Sequence, residues 1–354
     1  MATGTTSRTC MKTANGVVEL REIAIPDPRP HEALLRVRLA TICGSDIHMV
    51  HDFPMPRGGE AVPMGHEMVG EVVAVGSDVR RFSEGQRVIP SCIYGCGACT
   101  NCLRGRTPLC LTYGRVTGIT NALAGGQGEY IVIPHADVNM AHVPDAVPDQ
   151  EAILATDIMS TGFGALEAGG VQTGDTVAVF AQGPVGLCAT AGARTLGASL
   201  IIAVESVPER QVMARRLGAN VVFTPDEAAD GIRDLTGGKG VDVAVEALGR
   251  PETFAAAVAA ARLDGTVTSV GVYATERSLP VAVDGNFYSR RIVTSLCPSG
   301  SDRLTRLLKL LEHGRTGVDA LITHTMKLSE IVTAYDVFEH RRDGAIKIAL
   351  VPDA

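Results

Sequence analysis

The chain of 354 residues contains no tryptophan, and aromatic residues make up only 4% of it. Neither scarcity carries information about function. The chain also has no excess of basic residues, because 32 Lys and Arg stand against 39 Asp and Glu and give a formal net charge of −7. Nucleic acids and anionic membranes both favour basic surfaces, so we expect neither as a partner.

Long apolar runs are missing as well. No stretch approaches the roughly 18 apolar residues that a membrane-spanning helix needs. The N-terminal sequence MATGTTSRTCMK lacks the charged start and apolar centre of a signal peptide. We therefore expect a cytoplasmic protein, in which the nine cysteines do not form disulfides. The length is sufficient for two domains, each with its own core.

The pattern of apolar residues changes near residue 152. Before it, strand-like alternation at 16–40, 69–75 and 86–89, punctuated by Pro and Gly, predicts a β-barrel-like domain with short helices. After it, short apolar runs alternate with helical stretches, which predicts a doubly wound parallel sheet. The fold class is thus α/β, with domains at 1–156 and 157–296, and we expect residues 297–354 to return to the first domain.

Individual elements of the second half are also predicted. Strands are expected at 176–181, 200–205, 221–224, 241–247 and 266–272. Helices are expected at 184–196, 208–217, 252–261, 302–312 and 329–340, and a final strand at 346–351.

Four cysteines lie close together, and the segment around them is rich in turn residues. They are Cys96, Cys99, Cys102 and, seven residues later, Cys110. This spacing predicts a closed structural zinc site with four thiolate ligands, which leaves no position for a substrate. The alternatives are incidental buried cysteines and an iron–sulfur cluster. The nearby Cys92 is expected to be a packed, inert thiol.

A dinucleotide-binding turn is predicted between the strand at 176–181 and the helix that follows it. Ala181, Gly183 and Gly186 occupy the three glycine positions of the G-x-G-x-x-G pattern, with Ala181 as a departure at the first. The helix N-terminus would hold the pyrophosphate. Glu205, at the end of the next strand, would accept hydrogen bonds from the ribose and repel a 2′-phosphate, so we predict NAD over NADP. Arg210 could offset this preference, and a solvated Glu205 is the alternative.

A second group of metal-binding residue types lies near the N-terminus. Cys43, His48 and His66 fall within about 25 residues of one another, together with Ser45, Asp46 and Glu67. Thiol and imidazole ligands of this kind suit zinc in a tetrahedral shell.

Together these motifs resemble the zinc-dependent alcohol dehydrogenases of the medium-chain dehydrogenase/reductase superfamily. The resemblance implies a GroES-like catalytic domain, a Rossmann coenzyme domain and two zinc ions per chain, one catalytic and one structural. Cys43 and His66 match two ligands of the catalytic zinc, and Asp157 takes the third position, as in members with an acidic ligand. An N-cap of the following helix is the alternative role for Asp157. Asp46 would orient His66, and Glu67 matches a residue near the metal.

The resemblance also implies the proton path and the cofactor contacts. Ser45 would bond to the substrate oxygen and His48 would be the outer base, unless it is only an exposed loop histidine. Positions matched to cofactor contacts are Thr161, Gly183, Pro184, Val185, Gly186, Glu205, Arg210, Gly249, Val272 and Lys347. Lys347 would face the pyrophosphate.

The implied activity is interconversion of an alcohol with an aldehyde or ketone by hydride transfer to and from NAD, in the cleft between the domains. A polyol, threonine or glutathione-independent formaldehyde dehydrogenase is an alternative on the same scaffold. A zinc-free quinone or enoyl reductase and a zinc-ribbon interaction protein are remote ones. The partners would be a small-molecule substrate and further copies of the chain, with a tetramer favoured over a dimer.

Overall fold

The computed structural model describes residues 6–113, 125–283 and 289–353. The chain divides into two compact units. The first extends to Ser160 and includes Pro298–His313 and the residues from Asp319 onward. The second consists of Thr161–Cys297 and Gly314–Val318. Among the described residues, none of the helices combines the length and apolar character that a membrane span requires.

The first unit is built mainly of strands, with short helices between them. Its strands before residue 160 are β1 (Thr6–Ala14), β2 (Val17–Ala24), β3 (Ala33–Thr41), β4 (Val62–Pro63), β5 (Met68–Val75), β6 (Arg87–Pro90), β7 (Tyr130–Ile133) and β8 (Met140–His142). Its helices there are α1 (Gly44–His51), α2 (Thr100–Leu103), α3 (Ala136–Asn139) and α4 (Asp149–Ala152). Helix α5 (Ile158–Gly169) runs across the boundary between the units.

The second unit alternates strands and helices. Its strands are β9 (Thr176–Phe180), β10 (Leu200–Val204), β11 (Val221–Phe223), β12 (Val241–Glu246), β13 (Ala261–Ser269) and β14 (Arg291–Thr294). Its helices are α6 (Pro184–Leu196), α7 (Pro208–Leu217), α8 (Pro225–Leu235) and α9 (Pro251–Ala260). The strands form one parallel sheet in the order β11-β10-β9-β12-β13-β14, which is the order of a doubly wound dinucleotide-binding sheet.

Sequence patterns explain why these elements form where they do. Strand β9 reads Thr-Val-Ala-Val-Phe and is buried except at its first residue, as expected of a strand covered on both faces. Helix α6 begins with Pro184 at its first position and ends at Gly197, which adopts a left-handed conformation with φ of 87°. The predicted helix at 184–196 is confirmed, whereas β13 begins at Ala261, earlier than the predicted 266.

The C-terminal segment completes the first unit. Its elements are α10 (Ser301–Glu312), β15 (Ile322–Lys327), α11 (Ile331–Glu339) and β16 (Lys347–Val351). Strand β16 pairs antiparallel with β3, where Ala349 lies opposite Thr41. The core of the unit therefore contains side chains from both ends of the chain, such as Leu35, Met68 and Leu350.

A buried lysine fixes the position of helix α1. The side chain of Lys12, on β1, is almost completely buried. Its Nζ donates hydrogen bonds to the carbonyl oxygens of Met49 at 2.7 Å and Phe53 at 2.5 Å. A cation at this end of a helix also interacts favourably with the helix dipole. Lys12 thus anchors the C-terminal end of the helix that carries several of the predicted site residues.

Candidate metal and dinucleotide sites

The metal-binding segment begins at the N-terminus of helix α1. Cys43 is the N-cap residue of this helix, and its backbone N–H donates to Asp46 Oδ2 at 2.9 Å. Reciprocal bonds of this type form a capping box, which fixes the first turn of the helix. Because Cys43 and Asp46 belong to this turn, the local fold determines where the Cys43 thiol points.

The structure brings four predicted site residues together in the first unit. Ligand atoms of Cys43, His66, Glu67 and Asp157 all lie within 4.8 Å of one another. Asp157 Oδ2 is 3.5 Å from Cys43 Sγ and 3.2 Å from His66 Nε2. Zinc bonds of about 2.0–2.3 Å at tetrahedral angles put ligand atoms roughly 3.3–3.8 Å apart, so this donor set fits zinc.

The charges in the cluster also favour a cation. Glu67 Oε1 is buried and has no hydrogen-bond partner among the described residues. Burial raises the pKa of the Cys43 thiol, and the nearby Lys347 cation offsets only part of that effect. A metal ion would stabilise both the thiolate and the carboxylates, since ligands bind in their deprotonated forms.

His66 is held in place by a buried carboxylate. Its Nδ1 lies 3.1 Å from Asp46 Oδ1, and both side chains are almost fully buried. Burial alone would lower the pKa of the His66 imidazole, but Asp46 and Asp157 raise it well above its ordinary value. With Nδ1 facing Asp46, Nε2 is the nitrogen directed toward Cys43 and Asp157. This is the arrangement expected of a metal-bound histidine and its carboxylate partner.

Cys92 has a contact that the sequence did not indicate. It is buried, as predicted, and its Sγ lies 3.6 Å from Asp157 Oδ1. The two carboxylate oxygens of Asp157 therefore have different neighbours. Oδ1 faces Cys92 and Oδ2 faces the other candidate ligands, so Cys92 helps to orient this carboxylate.

Ser45 and His48 lie at different distances from the cluster. Ser45 Oγ is 3.3 Å from His66 Nε2, which places a hydroxyl next to the candidate ligands. His48 is one turn further along α1, and its side chain is 34% exposed. Its Nδ1 contacts Asp52 Oδ2 at 2.6 Å, so the carboxylate of Asp52 orients this ring.

Lys347 is buried and forms an ion pair with Glu67 through Glu67 Oε2. Thr41 Oγ1 donates to the same oxygen at 2.5 Å. Burial alone would lower the pKa of the lysine, but Glu67 and Cys43 raise it above its ordinary value. The Lys347 cation is therefore paired with Glu67 in this structure. Its contact with a pyrophosphate stays a prediction.

The four-cysteine loop forms the second candidate metal centre. The sulfur atoms of Cys96, Cys99, Cys102 and Cys110 lie within 4.8 Å of one another. Cys99 Sγ and Cys110 Sγ are 3.9 Å apart, close to the roughly 3.8 Å that tetrahedral zinc–sulfur bonds of about 2.3 Å require. Backbone N–H groups of Cys102 and Leu111 lower the pKa of Cys99 to about 6, which favours the thiolate. The loop thus fits a closed structural zinc site.

The predicted dinucleotide-binding turn lies between β9 and α6. Ala181, at the departure from the glycine pattern, adopts a positive φ of 70°, a conformation that costs a non-glycine residue about 1–2 kcal/mol. A Cβ at Gly186 would lie 1.9 Å from the Ala181 carbonyl oxygen, so glycine is required there. Pro184 and Val185 form the first turn of α6, next to Gly183. Free N–H groups at such a helix start suit a pyrophosphate.

Glu205 stabilises this turn by accepting hydrogen bonds from backbone N–H groups. The residue is buried, which rules out the alternative of a solvated glutamate. Its Oε2 accepts a hydrogen bond from the Gln182 N–H at 2.7 Å, and its Oε1 accepts from the N–H groups of Ser206 and Val207 at 2.8 and 2.9 Å. The Arg210 side chain lies beside Gly183, since a Cβ there would be 3.9 Å from Arg210 Nη1.

A second buried carboxylate, Glu246, was not predicted from the sequence. It lies at the end of β12, and its Oε1 accepts hydrogen bonds at 2.8 Å from the N–H groups of Leu248 and Gly249. A Cβ at Gly249 would lie 2.3 Å from the Val272 carbonyl oxygen, so these two predicted cofactor residues are in contact. Thr161 is buried in α5, in the same unit.

Comparison with known proteins gives two family matches. The alcohol dehydrogenase GroES-like domain matches residues 29–145, and the zinc-binding dehydrogenase family matches residues 184–313. Together they cover more than half of the chain.

Individual relatives match over nearly the whole length. An alcohol dehydrogenase of Cupriavidus necator is 40% identical, over 95% of this chain and 96% of the relative. The NADP-dependent isopropanol dehydrogenase of Thermoanaerobacter brockii is 34% identical over 92% and 94%. The solved structure of the alcohol dehydrogenase TADH from Thermus sp. ATN1 has a TM-score of 0.89 at 32% identity and covers 98% of this chain and 100% of its own.

Zinc analysis of single variants tests both centres. We expect two zinc ions per wild-type chain, and one in Asp157→Ala, because two protein ligands hold zinc much more weakly than three. Cys102→Ser should lose the other ion, while Cys188→Ala, which alters a buried cysteine in α6, should keep both. The measurement is elemental analysis after gel filtration. Two tightly bound ions in Asp157→Ala would contradict the ligand assignment.

Proposed function

The chain belongs to the zinc-dependent alcohol dehydrogenases of the medium-chain dehydrogenase/reductase superfamily, and we propose that it interconverts alcohols with aldehydes or ketones using NAD and a proton relay through Ser45 and His48. The family assignment confirms the predicted fold class, a GroES-like domain with a doubly wound parallel sheet. The protein is an oxidoreductase that uses zinc and a nicotinamide cofactor.

One observation carries the proposal of a catalytic zinc at Cys43, His66 and Asp157. Asp157 Oδ2 lies 3.5 Å from Cys43 Sγ and 3.2 Å from His66 Nε2, close to the spacing of ligands around a tetrahedral zinc. The fourth residue of the cluster, Glu67, is paired with Lys347, so we assign three protein ligands. Three ligands and an open fourth position distinguish a catalytic site from the closed four-cysteine site. Zinc held in this way supplies Lewis acidity toward an alcohol or carbonyl oxygen.

The side chains around the site would orient the substrate and move its proton. Ser45 Oγ, beside His66 Nε2, can accept the proton of a substrate hydroxyl and pass on its own. His48, further along α1 and partly exposed, would then deliver the proton to solvent. Asp52 accepts a hydrogen bond from His48 Nδ1, which leaves Nε2 as the basic nitrogen. Glu67 Oε2 is paired with Lys347, while Glu67 Oε1 has no hydrogen-bond partner among the described residues and would face the metal as an acceptor.

The cofactor preference is proposed from the position of Glu205. Its carboxylate is fixed by three backbone N–H groups at the end of β10, where a dinucleotide-binding sheet holds the adenosine ribose. A second negative group, such as a 2′-phosphate, would be repelled there. Arg210 beside Gly183 and the NADP-dependent relative favour the opposite preference, so the comparison of the two cofactors is the decisive experiment.

Cofactor choice can be measured on the best substrate from a screen of primary, secondary and aromatic alcohols. We expect kcat/KM to be at least about tenfold higher with NAD than with NADP, because a repulsion of about 1.4 kcal/mol is sufficient for that ratio. Glu205→Gln should reduce the ratio of kcat/KM with NAD to kcat/KM with NADP. Glu209→Gln removes a charge from an exposed position nearby and should leave this ratio unchanged. A clear advantage for NADP in the wild type would overturn the proposal.

The proton relay predicts a pH-dependent defect. His48→Gln should lower kcat for alcohol oxidation by about 10²-fold near neutral pH, the lower end of the range for general base catalysis. The defect should shrink as pH rises, because hydroxide can then accept the proton. His51→Gln, in the same helix and bonded to Glu339, is the matched control. Equal activities of the His48→Gln and wild-type proteins across the pH range would contradict the relay.

We also propose that the chain forms a homotetramer. Strand β14 ends the parallel sheet and pairs with β13, and on its other side the described residues provide no strand. The four-cysteine loop exposes three leucines, Leu103, Leu109 and Leu111, which favours burial against another chain. Light scattering of the purified protein should give four times the 37.1 kDa chain mass. A monomer at micromolar concentration would refute the proposal.

A further inference from the structure

Gln127 is a fully buried glutamine next to the candidate zinc site, and it has no role in the function described so far. It belongs to the glycine-rich segment 125–128, which runs alongside the segment that carries His66. The Gly126 N–H donates to the Gly65 carbonyl oxygen at 2.9 Å, and the Gln127 N–H donates to the Met64 carbonyl oxygen at 3.1 Å. The backbone on the N-terminal side of His66 is therefore held by segment 125–128.

The contact between Gln127 and Gly65 leaves no free space. Gly65 has a positive φ of 92°, and a Cβ there would lie 2.4 Å from Gln127 Cγ. The residue before His66 thus has to be glycine, both for its backbone conformation and for the glutamine side chain that packs against it.

The hydrogen bonds of the Gln127 side chain have a fixed direction. Its Nε2 is 3.0 Å from both Asp46 Oδ2 and the Thr41 carbonyl oxygen, which can only accept. Its Oε1 accepts from the Tyr335 hydroxyl at 2.8 Å. The opposite orientation of the amide would place an oxygen against two acceptors, so the partners themselves determine the orientation.

The hydrogen bonds of Gln127 connect to the candidate metal ligand His66 through Asp46. Asp46 Oδ2 accepts from Gln127 and from the Cys43 N–H, while Asp46 Oδ1 faces His66 Nδ1. A continuous buried series of contacts therefore runs from Tyr335 on helix α11 through Gln127 and Asp46 to His66. Tyr335 donates to Gln127, and Gln127 donates to Asp46. Asp46 Oδ1 and His66 Nδ1 face each other as an ion pair, and neither atom has a hydrogen-bond partner among the described residues. The two hydrogen bonds therefore fix the carboxylate that the imidazole faces.

We propose that Gln127 and Tyr335 are positioning residues for the catalytic zinc, which set the orientation of His66 through Asp46. The proposal rests on the zinc site of the proposed function and extends it to two residues that do not touch the metal. It also assigns a role to helix α11, whose Tyr335 would support a ligand more than 200 residues earlier in the chain.

The experiment compares full-length wild type with Tyr335→Phe, Gln127→Leu and the double variant. Two controls lie in the second unit. Tyr273→Phe likewise removes a phenol hydroxyl, which in this case donates to the Glu246 carboxylate. Gln182→Leu likewise removes a buried side-chain amide. Zinc affinity at each site is measured by competition with a chelator, and the four-cysteine zinc serves as the internal reference. Cobalt is then substituted for zinc, and its visible ligand-field absorption reports the ligand geometry.

We expect Gln127→Leu to weaken zinc binding at the Cys43, His66 and Asp157 site by about 10- to 100-fold, as is typical when a group that supports a metal ligand is lost. Tyr335→Phe should weaken it by about 3- to 10-fold, with a shifted cobalt spectrum. In the Gln127→Leu background Tyr335→Phe should have no further effect, because the hydroxyl acts through the amide. The four-cysteine site and both control variants should bind zinc as the wild type does.

Unchanged zinc affinity and cobalt spectra in Tyr335→Phe and Gln127→Leu would overturn the proposal, as would independent, additive effects of the two changes. If Gln127→Leu does not fold, the zinc affinity and cobalt spectrum of Tyr335→Phe decide whether the proposal holds. This variant removes a single oxygen atom and is therefore expected to fold. A wild-type chain that binds only the four-cysteine zinc would instead refute the proposed catalytic site, and the inference with it. The number of zinc ions per wild-type chain thus distinguishes a failure of this inference from a failure of the proposed catalytic site.

Discussion

The buried carboxylate of Asp46 is the group on which the candidate zinc site depends. It accepts a hydrogen bond from the Cys43 N–H, and it faces Nδ1 of His66, so one side chain positions two of the three ligands. A carboxylate without solvent is stable in a protein interior only if donors surround it. The need to satisfy Asp46 therefore explains why an amide, from Gln127, lies at this place and why the first turn of α1 is fixed.

The second unit uses carboxylates in the same way. Glu205 and Glu246 both lie at the ends of parallel strands, and both accept hydrogen bonds from backbone N–H groups of the loop that follows. Glu205 also bonds to the N–H of Gln182, inside the glycine-rich turn. Loops at the carboxyl ends of such strands form the ligand-binding edge of the sheet. The buried charges hold these loops in one conformation before a cofactor arrives, which lowers the entropic cost of binding.

Much of the architecture could be predicted from the sequence, because strands buried on both faces and glycine-rich turns leave strong local patterns. The grouping of Cys43, His66 and Asp157 came from a family resemblance, and the structure places their ligand atoms together. Gln127 and Lys12 could not be found in this way, since their roles depend on partners far away in the chain. For Gln127 a weak signal existed, because the glycine density at 125–128 indicates unusual local packing.

The order of the elements along the chain has a consequence for biosynthesis. Glu67 is separated by 280 residues from Lys347, its buried ion-pair partner, and the whole second unit is translated between them. At about 5–20 residues per second, the ribosome needs about 15 to 60 s to reach that lysine. Until Lys347 is synthesised, Glu67 lacks the cation that it pairs with in the fold, and β3 lacks its neighbour β16. The native contacts around Glu67 can therefore form only after Lys347 has been translated, so they are completed after the second unit has been synthesised.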